Sequence, residues 1–173
     1  MGKLSKVEDM TMGLDVGDRC SHFAVLSAQG QIVEEGRVAT SEAAFSKYFS
    51  SRPPMRIAIE TGTHSPWISR LLAECGHEVI VANSRKLRLI YENPTKDDRV
   101  DARYLARLAR FEPALLCPVE HRDASAQKDL ALLRSRDALV VARTLLVNHV
   151  RGVAKSLGQR LPACSTTCRP ARS

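Results

Sequence analysis

The chain has 173 residues, 44% of them apolar and 26% charged, with a formal net charge of +7. This is ordinary globular chemistry, with length for one compact domain and an appendage. There is no run of about 18 apolar residues, which excludes a membrane-spanning helix, and the polar stretch 1–9 lacks the apolar core of a signal peptide, so a flexible N-terminus and a cytoplasmic protein are expected.

Thr11 to Val16 (TMGLDV) reads as a buried strand ending at Gly17, and Ser21 to Leu26 as a second. Ala28-Gln29-Gly30 is a tight turn, and Gln31 to Val38 is a third strand. Strands this closely spaced form an antiparallel meander, because parallel pairing needs a longer crossover. Thr40 and Ser41 offer N-caps to a helix carrying Ala44, Phe45, Tyr48 and Phe49, which Arg52-Pro53-Pro54 ends. Met55 to Ile59 is a short apolar run, a buried parallel strand leading into Glu60. A helix follows with Ser65 as N-cap, Pro66 at its first position and Gly76 as its stop, and then a fifth strand, Glu78 to Ala82.

Ser84 to Tyr91 reads as a basic helix broken by Asn93-Pro94-Thr95, and Asp97 to Arg110 as a further helix. A connector with Pro113 and Pro118 leads to one long helix from Ser125 to Leu157. In it Leu132, Leu139, Leu146 and Val153 recur every seven residues, beside Leu133, Val140, Val147 and Ala154. The expected organisation is a flexible segment 1–9, a domain 10–123, the long helix 124–160 and a disordered tail 161–173. A three-strand meander followed by α-β-α-β is the element order of the RNase H-like fold. It predicts an α/β mixed sheet with three antiparallel and two parallel strands, right-handed crossovers, and a long C-terminal helix.

Residues 1–125 carry 17 Lys and Arg against 17 Asp and Glu, whereas 126–173 carry 9 against 2. The whole basic excess lies at the C-terminal end, as a polyanion partner or a solvated helix with a basic tail would have it. The cysteines Cys20, Cys75, Cys117, Cys164 and Cys168 show no C-x-x-C spacing and read as free thiols.

Asp15 lies in an otherwise apolar strand. An ionised carboxylate there is costly unless it is paired, metal-bound or capping the next turn. Glu60 follows a parallel strand at its carboxyl end, where open α/β sheets bind ligands. Asp98 and Asp101 share one helical face with Ala102, Leu105 and Ala109, while Arg99, Arg103, Arg107 and Arg110 take roughly the opposite, solvent side. First-turn acids also favour the positive helix end. Converging carboxylates suit Mg2+ or Mn2+, and two such ions about 3.5–4 Å apart clamp the oxygens of an in-line phosphoryl displacement. Arg85, Lys86, Arg88, Lys96, Arg99, Arg103, Arg134, Arg136, Arg143 and Arg151 are candidate phosphate contacts or solvated faces. His64 follows the E-T-G turn, and Trp67 reads as a packing anchor.

The segments GLDVGDRCSHFAVLS, AIETGTHSPWISRLLAECGHEVIVANSRKLR and KDDRVDARYLARLAR closely resemble the DEDD transposases of bacterial insertion elements, with their RuvC-like N-terminal domain and Piv-type invertase relatives. The resemblance runs on through LRSRDALVVARTLLVNHVRGVAKSLGQRLPACS, to about Ser165. It implies that Asp15, Glu60, Asp98 and Asp101 are the four acidic, metal-binding catalytic residues. It further implies DNA as substrate, a guide RNA of the element, and a homo-oligomer. The family's second domain supplies a serine nucleophile, and this chain stops where that domain begins, so a C-terminally truncated catalytic half is expected. Two other readings stand beside it. One is a sugar-kinase-like ATPase, which needs a second phosphate-binding loop and greater length. The other is a non-catalytic nucleic-acid-binding or oligomerisation module.

Overall fold

The computed structural model describes residues 10–86 and 98–162, with Asp98 described by its backbone. The chain divides into two compact units, Met1–His121 and Arg122–Ser173. The first runs β1 (Thr11–Asp15), β2 (Cys20–Leu26), β3 (Ile32–Ala39), α1 (Glu42–Phe49), β4 (Arg56–Glu60), α2 (Ser65–Glu74), β5 (Glu78–Ala82) and α3 (Asp98–Phe111), closing with a 3-10 turn, Pro113–Leu116. The second is built on α4 (Ala124–Ser156). The expected loop at Asn93-Pro94-Thr95, the segments 1–9 and 163–173, and most of the helix expected over 84–91 lie outside the described residues; 84–86 are helical.

The sheet order is β3-β2-β1-β4-β5. β1–β2 and β2–β3 pair antiparallel, while β1–β4 and β4–β5 pair parallel. This is the RNase H-like mixed sheet that the element order predicts. The meander follows from short turns, and the parallel pairs from the α1 and α2 crossovers.

Side-chain alternation divides the core between the two faces of the sheet. Met12, Leu14, Ile57 and Ile59 pack with Phe45, Phe49, Ile68 and Leu72, on the side of α1 and α2. Ala58 and Ala82 pack with Leu105, Ala109 and Leu116, on the side of α3. Gly13 faces α3 as well: a Cβ there would overlap the Ala102 carbonyl oxygen and the Ala106 amide nitrogen. Small residues on both surfaces (Gly13, Ala58, Ala102, Ala106, Ala109) thus let α3 lie directly on the strand backbones.

α2 differs from expectation at its start. Ser65 is the first helical residue, the N-cap position is His64, and His64 makes no side-chain cap bond. The Ser65 hydroxyl instead donates to the Gly62 carbonyl at 2.8 Å and accepts from the Gly62 amide at 3.0 Å. Having closed this loop, it is buried.

In the second unit, α4 spans 33 residues and opens on Asp123, whose carboxylate accepts from the Ala126 amide at 2.7 Å. None of its residues is buried. Among the described residues no helix is long and apolar enough to cross a membrane.

Candidate metal and nucleic-acid site

Asp15 is the last residue of β1 and Glu60 the last of β4. These strands are adjacent and parallel, with Leu14 opposite Ile59, so the two carboxylates leave the sheet side by side at its carboxyl edge. Both are half-buried. They also share a face. Asp15 is two residues beyond Gly13 and Glu60 two beyond Ala58, and both of those touch α3.

α3 runs antiparallel to β1. Its C-terminal end lies over the strand beginnings, where Arg56 Nη1 donates to the Ala109 carbonyl at 3.4 Å and Arg110 Nη2 to the Ala28 carbonyl at 2.7 Å. Its N-terminal turns therefore lie toward the strand ends, and Ala102 covers Gly13. The half-buried Asp101 and the backbone of Asp98 belong to that first part of α3. The fold thus brings two strand-end carboxylates and the acid-bearing helix turn to one edge. Among the described residues no three His, Cys, Asp or Glu side chains are grouped closely enough to hold a metal ion. The donor set is all carboxylate oxygen, which is the chemistry magnesium or manganese takes.

The edge is braced beside Glu60. Thr61 donates its amide to the Ala82 carbonyl at 2.9 Å, and its hydroxyl meets the Ser84 hydroxyl at 2.9 Å. Asn83 Oδ1 accepts from the amides of Arg85 (3.2 Å) and Lys86 (3.4 Å), so these exposed cations begin a helical segment at the same edge. On the other loop, Trp67 Nε1 donates to His64 Nδ1 at 3.2 Å, and His64 Nε2 faces Asp18 at 3.3 Å. An indole N–H only donates, so His64 carries its neutral-form proton on Nε2 and gives it to Asp18. That contact joins the loop after Asp15 to the loop after Glu60. Trp67 also packs edge-on against Phe45, with centroids 5.4 Å apart.

The expected arginine face of α3 needs correction. Arg107 is exposed, but Arg103 reaches back to β3, where its guanidinium grips the Glu35 carboxylate at both oxygens, Nη2 to Oε2 at 2.7 Å. Arg110 is bonded to Ala28. The stripe 99-103-110 flanks the buried face of α3 on its β2–β3 side, and β3 extends far enough to meet it. The Arg103 guanidinium, together with Arg99, holds the Glu35 carboxyl below the usual carboxylate range. Arg88 and Lys96 lie outside the described residues.

In the second unit Arg134, Arg136 and Arg143 are exposed along α4, with Arg136 beside Asp137 at 3.3 Å, and Arg151 donates to the Pro162 carbonyl at 3.1 Å. Sequence reasoning missed His22 and Arg37. His22 lies opposite Asp15 across β1–β2, and Arg37 opposite His22 across β2–β3, which places all three on the α3 face in one lateral row. Only the strand register could have revealed them.

A transposase family model, that of the IS110-type DEDD transposases, matches residues 12–158. Among curated proteins, the chain is 29% identical to a transposase of Sinorhizobium fredii, y4pF/y4sB, over 97% of this chain and 42% of the relative. It is 24% identical to the transposase for insertion sequence element IS1328 of Yersinia enterocolitica, over 87% and 44%. The chain spans about two fifths of the length of these relatives. Among solved structures, Thermus thermophilus RuvC is similar at a TM-score of 0.42 and 15% identity, over 60% of this chain and 96% of that one. An Arthrobacter polyphosphate/ATP-glucomannokinase is similar at a TM-score of 0.33 and 18% identity, over 45% of each chain.

Proposed function

Since the chain belongs to the IS110-type DEDD transposase family, we propose that it is the carboxylate-bearing half of a DNA transposase, which binds divalent metal for the cutting and joining of DNA strands. The observation that supports this most is the pairing of Asp15 and Glu60 at the ends of adjacent parallel strands, on the face covered by the acid-bearing start of α3. Asp15, Glu60, Asp98 and Asp101 are the proposed ligands and catalytic residues. A divalent ion held there, Mg2+ or Mn2+, supplies charge neutralisation at a phosphoryl oxygen and an activated water or hydroxyl.

The chain's own residues do the rest by position. The β1–β4 pairing holds two carboxylates side by side. The Thr61–Ser84 bond and the His64–Asp18 contact fix the loops beyond them. Arg85 and Lys86, with Arg99 on α3, place positive charge around this edge, where a phosphate backbone would pass. In the second unit, Arg134, Arg136, Arg143 and Arg151 on α4 are a separate set of proposed phosphate contacts, for DNA or a guide RNA of the element. The unburied heptad stripe of α4 supports homo-oligomerisation through this helix.

Titration calorimetry with MgCl2 or MnCl2 on the whole chain tests the metal site. Binding is expected in the native protein and is expected to vanish in Asp15→Asn and in Asp98→Asn/Asp101→Asn. A folded native chain that binds neither ion favours the second reading, a nucleic-acid-binding or oligomerisation module without chemistry, for which the fully unburied α4 is the supporting observation.

A further inference from the structure

A depression of about 270 Å³ lies on the α3 face of the sheet, lined by His22, Phe23, Glu35, Gly36, Arg37 and Arg99. It starts one strand away from Asp15, because His22 is Asp15's cross-strand neighbour and Arg37 is next in the row. The Arg37 side chain is exposed and makes no hydrogen bond or ion pair among the described residues. An arginine with no described carboxylate partner, inside a concavity, is a guanidinium fork suited to an external anion.

Glu35, the one acid among the described lining residues, does not cancel it. Glu35 is gripped at both oxygens by Arg103, so its carboxylate is already taken and does not neutralise Arg37. Strands are spaced about 4.8 Å apart, so Arg37 sits roughly 10 Å from Asp15 along the row. That is the reach from a reacting phosphate to its neighbours along a nucleic-acid backbone, where successive phosphates are about one to two strand spacings apart.

Resting on the carboxylate-site reading, we infer that this depression is a phosphodiester seat. Arg37 and Arg99, with His22 at its inner wall, grip the nucleic-acid backbone one or two nucleotides from the phosphate at Asp15. The contacts are to phosphate, so they set the position and register of the strand and carry no sequence preference. Arg37 is a positioning residue on this assignment, since it reaches the substrate away from the reacting atoms.

The test is fluorescence anisotropy of the full chain with a labelled DNA duplex and, separately, a labelled single-stranded RNA, each titrated across 50 to about 200 mM salt. Arg37→Ala is expected to weaken binding several-fold and to lower the log–log salt slope by about one. Arg37→Lys is expected to restore most of that slope. Arg107→Ala, the same charge change on the exposed side of α3, is expected to do much less. Loss in the DNA arm, the RNA arm or both supports the seat and tells which backbone occupies it. Equal effects of Arg37→Ala and Arg107→Ala, or none from either, overturn the seat while leaving the metal titration above untouched. A native chain, folded by circular dichroism, that binds neither nucleic acid overturns the seat together with the nucleic-acid reading it rests on.

Discussion

Gly13 and Ala102 are in backbone contact: a Cβ on Gly13 would overlap the Ala102 carbonyl oxygen and lie 2.9 Å from the Leu105 Cβ. This single approach sets how close the acid-bearing helix comes to the strand that ends in Asp15. Neither obstacle can move cheaply, since one is helix backbone and the other a fully packed side chain. Gly13→Ala is therefore expected to lower the urea midpoint and cost at least the roughly 1–3 kcal/mol typical of overpacking. A variant as stable as the native chain would mean that α3 does not lie on β1.

Metal binding should appear as stability. An ion that binds only the folded chain adds about 2.7 kcal/mol at a hundred times its Kd. MgCl2 is expected to raise the melting temperature of the native chain and to leave Glu60→Gln unmoved, with EDTA erasing the difference. Equal shifts in both would remove Glu60 from the ligand set.

His77 is buried between β4 and α1, with Nδ1 accepting from the Met55 amide at 3.3 Å and Nε2 meeting the Phe49 carbonyl at 3.2 Å. Burial pushes its pKa down, as it does that of His121, against which Arg70 acts in the same direction. A histidine with a depressed folded pKa stays neutral while the unfolded chain takes up a proton. Its stability contribution is complete above the ordinary value of 6.5 and is lost as pH falls below that, toward the folded pKa. Unfolding free energy is expected to drop between pH 7.5 and 5.5, and less steeply in His77→Gln. Parallel pH curves for the two proteins would show that His77 does not titrate on unfolding.

Trp67 holds His64 through a 3.2 Å hydrogen bond to Nδ1. In Trp67→Phe that donor is gone, and the neutral imidazole is expected to divide its proton between both nitrogens. Nitrogen-15 chemical shifts of the ring at pH 8 read this directly. An unchanged Nε2–H population would mean that Asp18 alone orients the ring.

Leu139 and Leu146 are 71% and 66% exposed on α4, too apolar a stripe for a lone helix in water. Sedimentation is expected to show concentration-dependent association that Leu139→Lys/Leu146→Lys abolishes. A native chain that stays monomeric at high concentration would leave the stripe to a different partner.

Local chemistry is what the sequence determined alone. Closely spaced strands at 11–38 can only pair as a meander, Pro66 and Gly76 bound α2 closely, and the seven-residue repeat makes α4 one long helix. Asp15, Glu60, Asp98 and Asp101 stood out because acids in apolar or inward-facing positions are costly without a reason. A serine before a proline looks like an N-cap, whereas the Ser65 hydroxyl is taken up by the Gly62 loop. Helical periodicity points Arg103 to solvent, because it fixes angles around one axis and carries no information on how far β3 extends beside it. Only the tertiary structure could put Arg37, His22 and Asp15 in one row, because strand register joins residues far apart in the chain through backbone hydrogen bonds that carry no mark in the sequence.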